Sequence, residues 1–332
     1  MELYLIKATA GSTHDITQLV ESVEWKGSII GAARSVSFNY INAPYDKSYR
    51  IPQVATGDYV SLMDGGIELF FGQIFGTERS TATGTISFEA YDMIKKLTES
   101  TGQYNFKAMR PEAIAAQVLN DIQVPYNNLP ATGINIASML CNGKSYYDII
   151  MGAYTQAYKA TGIRCIPMIW ARGFGLWPAT YTVGNFKLSD TLNVTSADIQ
   201  ETMDEIKNRV RIYDDKGNQV GEVKDDESLG TFGVFQDVYT VEEGVDPTTA
   251  ATKMLHVTPT QKLNIEAIND NNCQSGYSVI VSDAATGLSG KYWIASDTHI
   301  WSGQQKTMSL ELSFEAVMDE KEIEVEKEEA ST

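Results

Sequence analysis

Short runs of alternating apolar and polar residues, separated by tight-turn sequences, dominate the N-terminal part of this chain. One such run is Tyr59–Met63, which leads through Asp64–Gly66 into a second run at Ile67–Ile74. An Asp-Gly pair between two alternating runs is typical of a β-hairpin, because aspartate and glycine accept the positive φ angles that a two-residue turn requires. The sequence therefore predicts strands joined by tight turns over residues 1–97, arranged as a barrel or a sandwich.

Helical spacing replaces this pattern near residue 98. Pro111 suits the first turn of a helix, and apolar side chains then recur at four-residue steps. A second helix is predicted to begin at Ser145, whose spacing from Asp148 fits a capping box, and to end by Gly162. Two strand-like runs follow it. We therefore interpret residues 98–185 as a small mixed α/β domain inserted between β regions.

Strand-like runs return over residues 186–318, which we interpret as a second β domain. Asp246 followed by Pro247 predicts a short helix near residues 246–256, because aspartate caps helices and proline suits the first helical position. The last run, Thr307–Phe314, alternates strictly, so one of its faces meets water or a polar partner. The fold class predicted from these patterns is mainly β with an α+β insertion.

The last fourteen residues, 319–332, are rich in glutamate and hold seven carboxylates and two lysines. Such a segment has too few apolar side chains to form a core, so we predict an acidic, flexible tail. A docking segment for a basic partner is the alternative interpretation.

The formal net charge of −17 excludes tight binding of a phosphate backbone, although DNA can still slide past such a surface. No apolar run approaches the ~18 residues that a membrane span requires. The first residues lack the features of a secretory signal. These observations predict synthesis in a cytoplasm and no direct insertion into a membrane.

Few residues in the chain are candidates for chemistry. The three histidines are His14, His256 and His299. The three cysteines, none at metal-ligand or Cys-x-x-Cys spacing, are Cys141, Cys165 and Cys273. Asp297 near His299 is similar to part of a hydrolase triad, but the chain has no Gly-x-Ser-x-Gly nucleophile sequence. We therefore predict no catalytic, cofactor-binding or metal-binding residue, and no enzyme activity.

Two other functions stay open at this point. A cell-wall hydrolase would need an acid/base pair, and the acidic candidates within residues 98–185 are Glu112, Asp121 and Asp148. A glycan-binding module is supported by the aromatic segment Trp170–Trp177, whose rings can stack against sugars. A packed hairpin is the alternative interpretation of that segment.

An ordered set of short segments spans nearly the whole chain and resembles the baseplate hub proteins of contractile phage tails and tail-like bacteriocins, in particular a hub family of defective prophages. The segments are Pro44–Asp46, Thr56–Val60, Leu69–Ile74, Ala90–Asp92, Tyr104–Phe106, Gly143–Ile150, Lys207–Val210, Gly290–Ile294 and Asp297–His299. No single segment is diagnostic, whereas their order along the chain is specific. The acidic tail after Asp319 departs from the family pattern.

The resemblance implies two tail-tube-like β-barrel domains in each subunit, formed by residues 1–97 and 186–318, with the mixed α/β domain as decoration. It implies a homotrimer whose six barrels form a pseudo-sixfold ring between the sixfold tail tube and the threefold spike. The expected partners are the tail tube protein, the spike protein, the tape-measure protein and other baseplate proteins, with transient, non-specific passage of DNA. The expected location is the baseplate at the tail tip of a phage or bacteriocin particle, after synthesis in the bacterial cytoplasm.

Overall fold

The computed structural model describes residues 1–41, 52–79, 85–242 and 245–323. Strands make up 51% of the described residues and helices 16%, so the mainly-β prediction is confirmed. Two parts of the sequence analysis lie outside the described residues, namely the segment Pro44–Asp46 and the end of the predicted tail, 324–332.

The chain forms two compact units. The main body consists of residues 1–197 and the described residues from Asn264 onward, and the insert consists of Asp198–Leu263. The strands at the N-terminal side are β1 (Glu2–Ile6), β2 (Thr13–Asp15), β3 (Val20–Ser28), β4 (Ser35–Ile41), β5 (Tyr59–Asp64), β6 (Ile67–Arg79) and β7 (Thr85–Tyr91), with a 3-10 helix at Thr17–Leu19.

The next elements alternate between helices and strands. They are α1 (Ile94–Glu99), β8 (Thr101–Met109), α2 (Pro111–Asp121), β9 (Tyr126–Asn128), β10 (Ile136–Ser145), α3 (Tyr146–Thr161), β11 (Cys165–Trp170) and β12 (Gly173–Pro178). The remaining elements are β13 (Thr182–Ser189), β14 (Val194–Thr202), β15 (Arg209–Tyr213), β16 (Gln219–Lys224), α4 (Asp226–Phe232), β17 (Gln236–Thr240), α5 (Pro247–Lys253), β18 (Thr260–Ile268), β19 (Ser278–Ser282), β20 (Ser289–Ser302) and β21 (Gln305–Ser313).

Both helices predicted in the mixed region are present, and local signals set their ends. α2 begins with Pro111 at its first position. α3 is capped by Ser145, whose Oγ accepts a hydrogen bond from the Asp148 N–H at 2.9 Å. It ends where Gly162 takes the left-handed conformation with a φ of 74°. Neither these nor any other described helix is long and apolar enough to span a membrane.

The predicted hairpin in the N-terminal region is also present. β5 and β6 pair antiparallel, with Asp64 opposite Ile67 at the closed end. Gly65 and Gly66 form the turn with φ angles of 58° and 81°, which side chains other than glycine adopt only with strain. The Asp-Gly sequence therefore predicted this connection correctly.

Thirteen strands form one sheet in the order β14-β18-β21-β20-β3-β4-β7-β6-β5-β1-β2, with β19 paired to β20 and β13 paired to β19. The two expected barrels are not separate, because strands of both β regions belong to this sheet, and no closed barrel occurs within the described residues. The physical reason is the length of β20, which has 14 residues. Its first part pairs with β19 and its second part pairs with β3, so it joins the two regions.

One strand order occurs twice in this sheet. The first lobe comprises β1 and β3–β7, and the second lobe comprises β13, β14 and β18–β21. Numbered along the chain within each lobe, both lobes have their six strands in the order 2-3-6-5-4-1. They differ in direction at one place, since β1 is antiparallel to β5 whereas β13 is parallel to β19.

The insert has a small core of its own. β15 pairs antiparallel with β16 and parallel with β17. Val210 and Ile212 of β15 pack with Ala251 of α5. The predicted short helix is α5, and Asp246 caps it by accepting a hydrogen bond from the Thr249 N–H at 2.8 Å.

The first residues of the predicted acidic tail are packed on α3. Asp319 and Ile323 are each 5% exposed, and the Tyr147 O–H donates a hydrogen bond to Asp319 at 2.8 Å. Ile323 contacts α3 at Gly152, where an added Cβ would lie 2.6 Å from the Ile323 Cδ1. The predicted solvated tail therefore does not begin at Asp319, because residues 319–323 supply buried partners to the mixed region.

Candidate functional site

The candidate pair Asp297 and His299 lies on β20, where this strand pairs with β3. Both side chains are fully buried, and His299 Nε2 lies 3.1 Å from Asp297 Oδ2. The imidazole packs against the indole of Trp25 on β3, with ring centroids 5.0 Å apart. Both side chains thus lie enclosed where these two strands pair.

Arg34, which directly precedes β4, completes this cluster. Its guanidinium donates to both carboxylate oxygens of Asp297, with Nη1 3.0 Å from Oδ1, and lies over the Trp25 ring at 4.1 Å from its centroid. The Ser275 N–H donates to the same Oδ1 at 2.6 Å. The sequence analysis did not single out Arg34, and no local pattern could have done so, because 263 residues separate it from Asp297.

Electrostatics keep this cluster charged. Burial alone raises the pKa of Asp297, but the charge of Arg34 and the hydrogen bonds from His299 and Arg34 outweigh it and hold this pKa well below its usual range. The Asp297 carboxylate is therefore ionised at neutral pH and balances the charge of Arg34. Removal of either partner alone would destabilise the fold, because it would leave the other charge buried without compensation.

A second buried carboxyl group belongs to Asp92, which follows β7. It accepts hydrogen bonds from the N–H of Arg34 at 3.2 Å and from the N–H of Ile94 at 2.9 Å, and so ties the start of β4 to the start of α1. Burial raises the pKa of Asp92 to about 7, although these hydrogen bonds and the charge of Arg34 act in the opposite direction.

The raised pKa of Asp92 makes stability depend on pH. Between about pH 4 and pH 7 the folded protein keeps this carboxyl group protonated while the unfolded chain ionises it, so its contribution to stability falls as pH rises. The Asp92→Asn variant lacks this titrating group. We therefore expect its free energy of unfolding, measured with urea, to rise by about 2 kcal/mol relative to that of the native protein as the pH is raised from 5 to 8. Glu21→Gln, at an exposed position, is the control. The same pH dependence for both variants would contradict this assignment.

The other candidate residues have separate partners. His14 and His256 each contact a nearby hydroxyl group. The three cysteines are free, buried thiols, and burial raises the pKa of Cys141 and Cys165 to about 11, which disfavours the reactive thiolate. Within the ranges that the structure describes, no group of three or more His, Cys, Asp or Glu side chains is arranged to hold a metal ion.

The acidic candidates for hydrolysis are each engaged with a different group. Glu112 accepts a hydrogen bond from the Thr132 hydroxyl at 3.0 Å, and Asp121 accepts one from the Tyr104 hydroxyl at 2.7 Å. Asp148 faces a lysine ammonium group at 3.8 Å. Each of the three carboxylates is thus held by a different partner, and the partner of Asp148 is Lys321, beyond the mixed region.

The aromatic segment Trp170–Trp177 forms the β11–β12 hairpin. Gly175 lets the ring of Trp177 lie flat on the strand, since an added Cβ would come within 2.3 Å of that ring. Trp170 is 65% exposed at the closed end of the hairpin. The groove of about 610 Å³ beside this hairpin is lined by Met168, Trp170, Trp177, Tyr181 and Tyr277, among others.

Two ion pairs connect residues in or beside the hairpin turns of the main body. Arg172, in the β11–β12 turn, donates to both carboxylate oxygens of Glu68 at 2.9 and 2.7 Å, and its guanidinium lies 3.9 Å from the ring centroid of Phe71. Lys306 at the start of β21 donates to Asp64 at 2.9 Å. These groups line a cleft of about 650 Å³ whose charged side chains already have partners.

The two lobes share local features at matching positions. β6 has a bulge directly after Ile74, and β20 has one directly after Ile294. The N–H of Gly57 donates to the Ile74 carbonyl at 2.8 Å, and the N–H of Gly276 donates to the Ile294 carbonyl at 2.9 Å. Both glycines adopt positive φ angles, 92° and 94°. The lobes therefore share backbone detail as well as strand order.

Comparison with known proteins places this fold in a family. The sequence pattern of the YQBQ-like family matches residues 23–313, which is most of the chain. The chain belongs to this family. The "Phage-like element PBSX protein XkdQ" of Bacillus subtilis (strain 168) is 28% identical over 332 residues, which cover 96% of this chain and 99% of that protein.

Solved structures of tail proteins share the fold. The 43 kDa tail protein of prophage MuSo2 from Shewanella oneidensis superposes with a TM-score of 0.69 at 14% identity, covering 94% of this chain and 98% of that one. A tail protein from Neisseria meningitidis MC58 gives a TM-score of 0.62 at 15% identity, covering 94% and 96%. The resemblance to a phage tail or baseplate family that the sequence indicated is thereby confirmed.

Proposed function

We propose that this chain is a structural component of a phage tail or tail-like particle and that it forms the hub of the baseplate. Its family and its likeness in fold to solved tail proteins support this role. The cluster around Asp297 also fits a structural role, because its charges join two strands and are enclosed between them.

The observation that carries the proposal is the repeated strand order of the two lobes. A chain with two lobes of one order contributes two near-equivalent units, so three chains contribute six. Such a trimer matches a sixfold tail tube on one side and a threefold spike on the other, through heterologous contacts that close by rotation. In this proposal the protein is the symmetry adaptor between tube and spike.

The first lobe, within residues 1–97, and the second lobe, which begins with β13 and otherwise lies within residues 186–318, would then provide the two tube-like units of each subunit. The mixed region that precedes β13 would lie outside the ring wall. The partners are the tail tube, spike and tape-measure proteins and the other baseplate proteins. The net charge of −17 suits a ring through which DNA passes, because a basic wall would hold the phosphate backbone through counterion release.

Electron cryo-microscopy of intact tail particles that contain this chain tests the proposal. We expect three copies at the tail tip, arranged as a pseudo-sixfold ring around a lumen wide enough for duplex DNA and lined by acidic or neutral side chains. Six copies in the ring, or a position of the chain outside the tail tip, would contradict the hub role.

A further inference from the structure

The matched strands β6 and β20 differ after the bulge that they share. Residues Ser296–Ser302 of β20 pair with β21 on one side and with β3 on the other. Residues Gly76–Arg79 of β6 pair with β7 on one side, and no strand among the described residues lies on the other side. Among the described residues, then, no strand covers this end of β6, whereas β3 covers the matching part of β20.

Side-chain burial follows this difference. Asp297 and His299 of β20, which β3 covers, are 2% and 0% exposed. Counted from the bulge, the matching residues of β6 are Thr77 and Arg79, and both are exposed. Phe75, within the bulge itself, is 39% exposed. An edge of this kind, with an aromatic side chain beside it, favours association with another strand.

The strand that would cover this edge has a counterpart in the second lobe. β3 is the second strand of the first lobe, and β14 is the second strand of the second lobe. β14 stands at the end of the sheet order and has β18 as its one strand neighbour among the described residues. Val23 and Trp25 of β3 are fully buried, whereas Ile199 of β14 is 38% exposed.

We propose that the end of β6 in one copy pairs antiparallel with β14 of the next copy and so repeats the β20–β3 pairing between subunits. This inference rests on the proposed function, since it names the joint that would close the ring. Each copy would use β6 toward one neighbour and β14 toward the other, which is a heterologous contact. Three such joints would alternate with the three β20–β3 joints inside the chains.

The β20–β21 turn indicates which backbone groups point toward the joint. Ser302 and Gln305 close a two-residue turn and therefore form a hydrogen-bonded pair between β20 and β21. Every second residue of β20 counted back from Ser302 also bonds to β21, and the residues between them, among them Asp297, bond to β3. Thr77 matches Asp297 and directs its N–H and carbonyl to the uncovered edge. Glu78 bonds toward β7 and occupies a non-hydrogen-bonded position of the joint, where facing Cα atoms lie about 4.5 Å apart.

Disulfide trapping in the full-length chain tests this joint. Glu78→Cys is combined in turn with a cysteine at each position of β14, and both the purified variants and tail particles containing them are mildly oxidised. We expect covalently linked dimers and trimers at one register of β14, because facing positions bring the two Cβ atoms within disulfide reach. The matched control pairs Glu78→Cys with Val220→Cys, a 57% exposed position on β16, and should give no links.

A proline substitution tests the same edge without cysteines. Thr77→Pro removes the N–H that faces the joint while keeping the hydrogen bonds between β6 and β7. We expect roughly a tenfold loss of incorporation into particles, with the melting temperature of the isolated chain changed by only a few degrees. Thr77→Val keeps the N–H and should assemble normally.

The outcomes separate the joint from the hub role. Particles with three copies per ring but no link between Glu78→Cys and any β14 position, or normal assembly of Thr77→Pro, would overturn the joint and leave the hub role intact. A number of copies other than three would overturn both.

Discussion

Asp297→Asn is expected to lower the free energy of unfolding by about 3–5 kcal/mol, the cost of leaving a buried charge without its partner. Arg34 would keep its positive charge with a side chain that is only 12% exposed. Its guanidinium would keep its contacts with the Trp25 ring and with the Ser275 Oγ at 3.3 Å, neither of which carries a negative charge. Urea unfolding extrapolated to water measures the change.

Two comparisons sharpen this test. Glu24→Gln removes an ion pair with Lys26 that is open to solvent on β3, and it should cost at most about 1 kcal/mol. Replacing Arg34 and Asp297 together with leucine removes both charges, so the double variant should lose less stability than the sum of the single variants. A loss for Asp297→Asn no larger than that for Glu24→Gln would show that the cluster does not stabilise the lobe junction.

Removal of the residues after Asp319 is expected to lower the free energy of unfolding by about 3 kcal/mol. Ile323 packs on α3 beside Gly152, and burying an isoleucine side chain stabilises a fold by about 1.5–3 kcal/mol. The deletion also removes the hydrogen bond from the Lys321 N–H to the Thr155 Oγ1 at 3.0 Å. Thermal and urea unfolding of the shortened chain measure the loss.

A second truncation serves as the control for the first. Ending the chain after Ile323 keeps all of these contacts and should leave the unfolding midpoint close to that of the full chain. Ile323→Ala in the full chain isolates the packing contribution and should cost about 2–4 kcal/mol. Equal stability of the two truncated chains would mean that residues 320–323 contribute nothing to the fold.

Local signals in the sequence were sufficient for several elements. The Asp64–Gly66 turn, the Ser145 cap and the Asp246 cap each act through residues within a few positions, and the structure has a hairpin or a helix end at each. The sequence analysis also identified Asp297 and His299 as neighbours. It could place them near each other because alternate residues of one strand share a face.

Contacts between distant parts of the chain could not be predicted in this way. The partner of Asp297 is Arg34, and the partner of α3 is Ile323, which stands within a run of charged residues that by composition resembles a solvated tail. The joining of both β regions in one sheet depends on the second half of β20 meeting β3, and strand periodicity does not specify which strands become neighbours. The repeat of the lobes resides in backbone features, such as the positive φ angles of Gly57 and Gly276, rather than in repeated sequence.

Most of the insert lies in a connection between two strands that is a short loop in the other lobe. Residues 29–34 link β3 to β4 in the first lobe, whereas residues 203–259 link the corresponding strands β14 and β18. The strand order is the same in both lobes despite this difference in length, and the entropy of closing a loop grows only slowly as it lengthens. The β14–β18 connection is therefore a position at which another folded domain could be inserted without a change in the order of the surrounding strands.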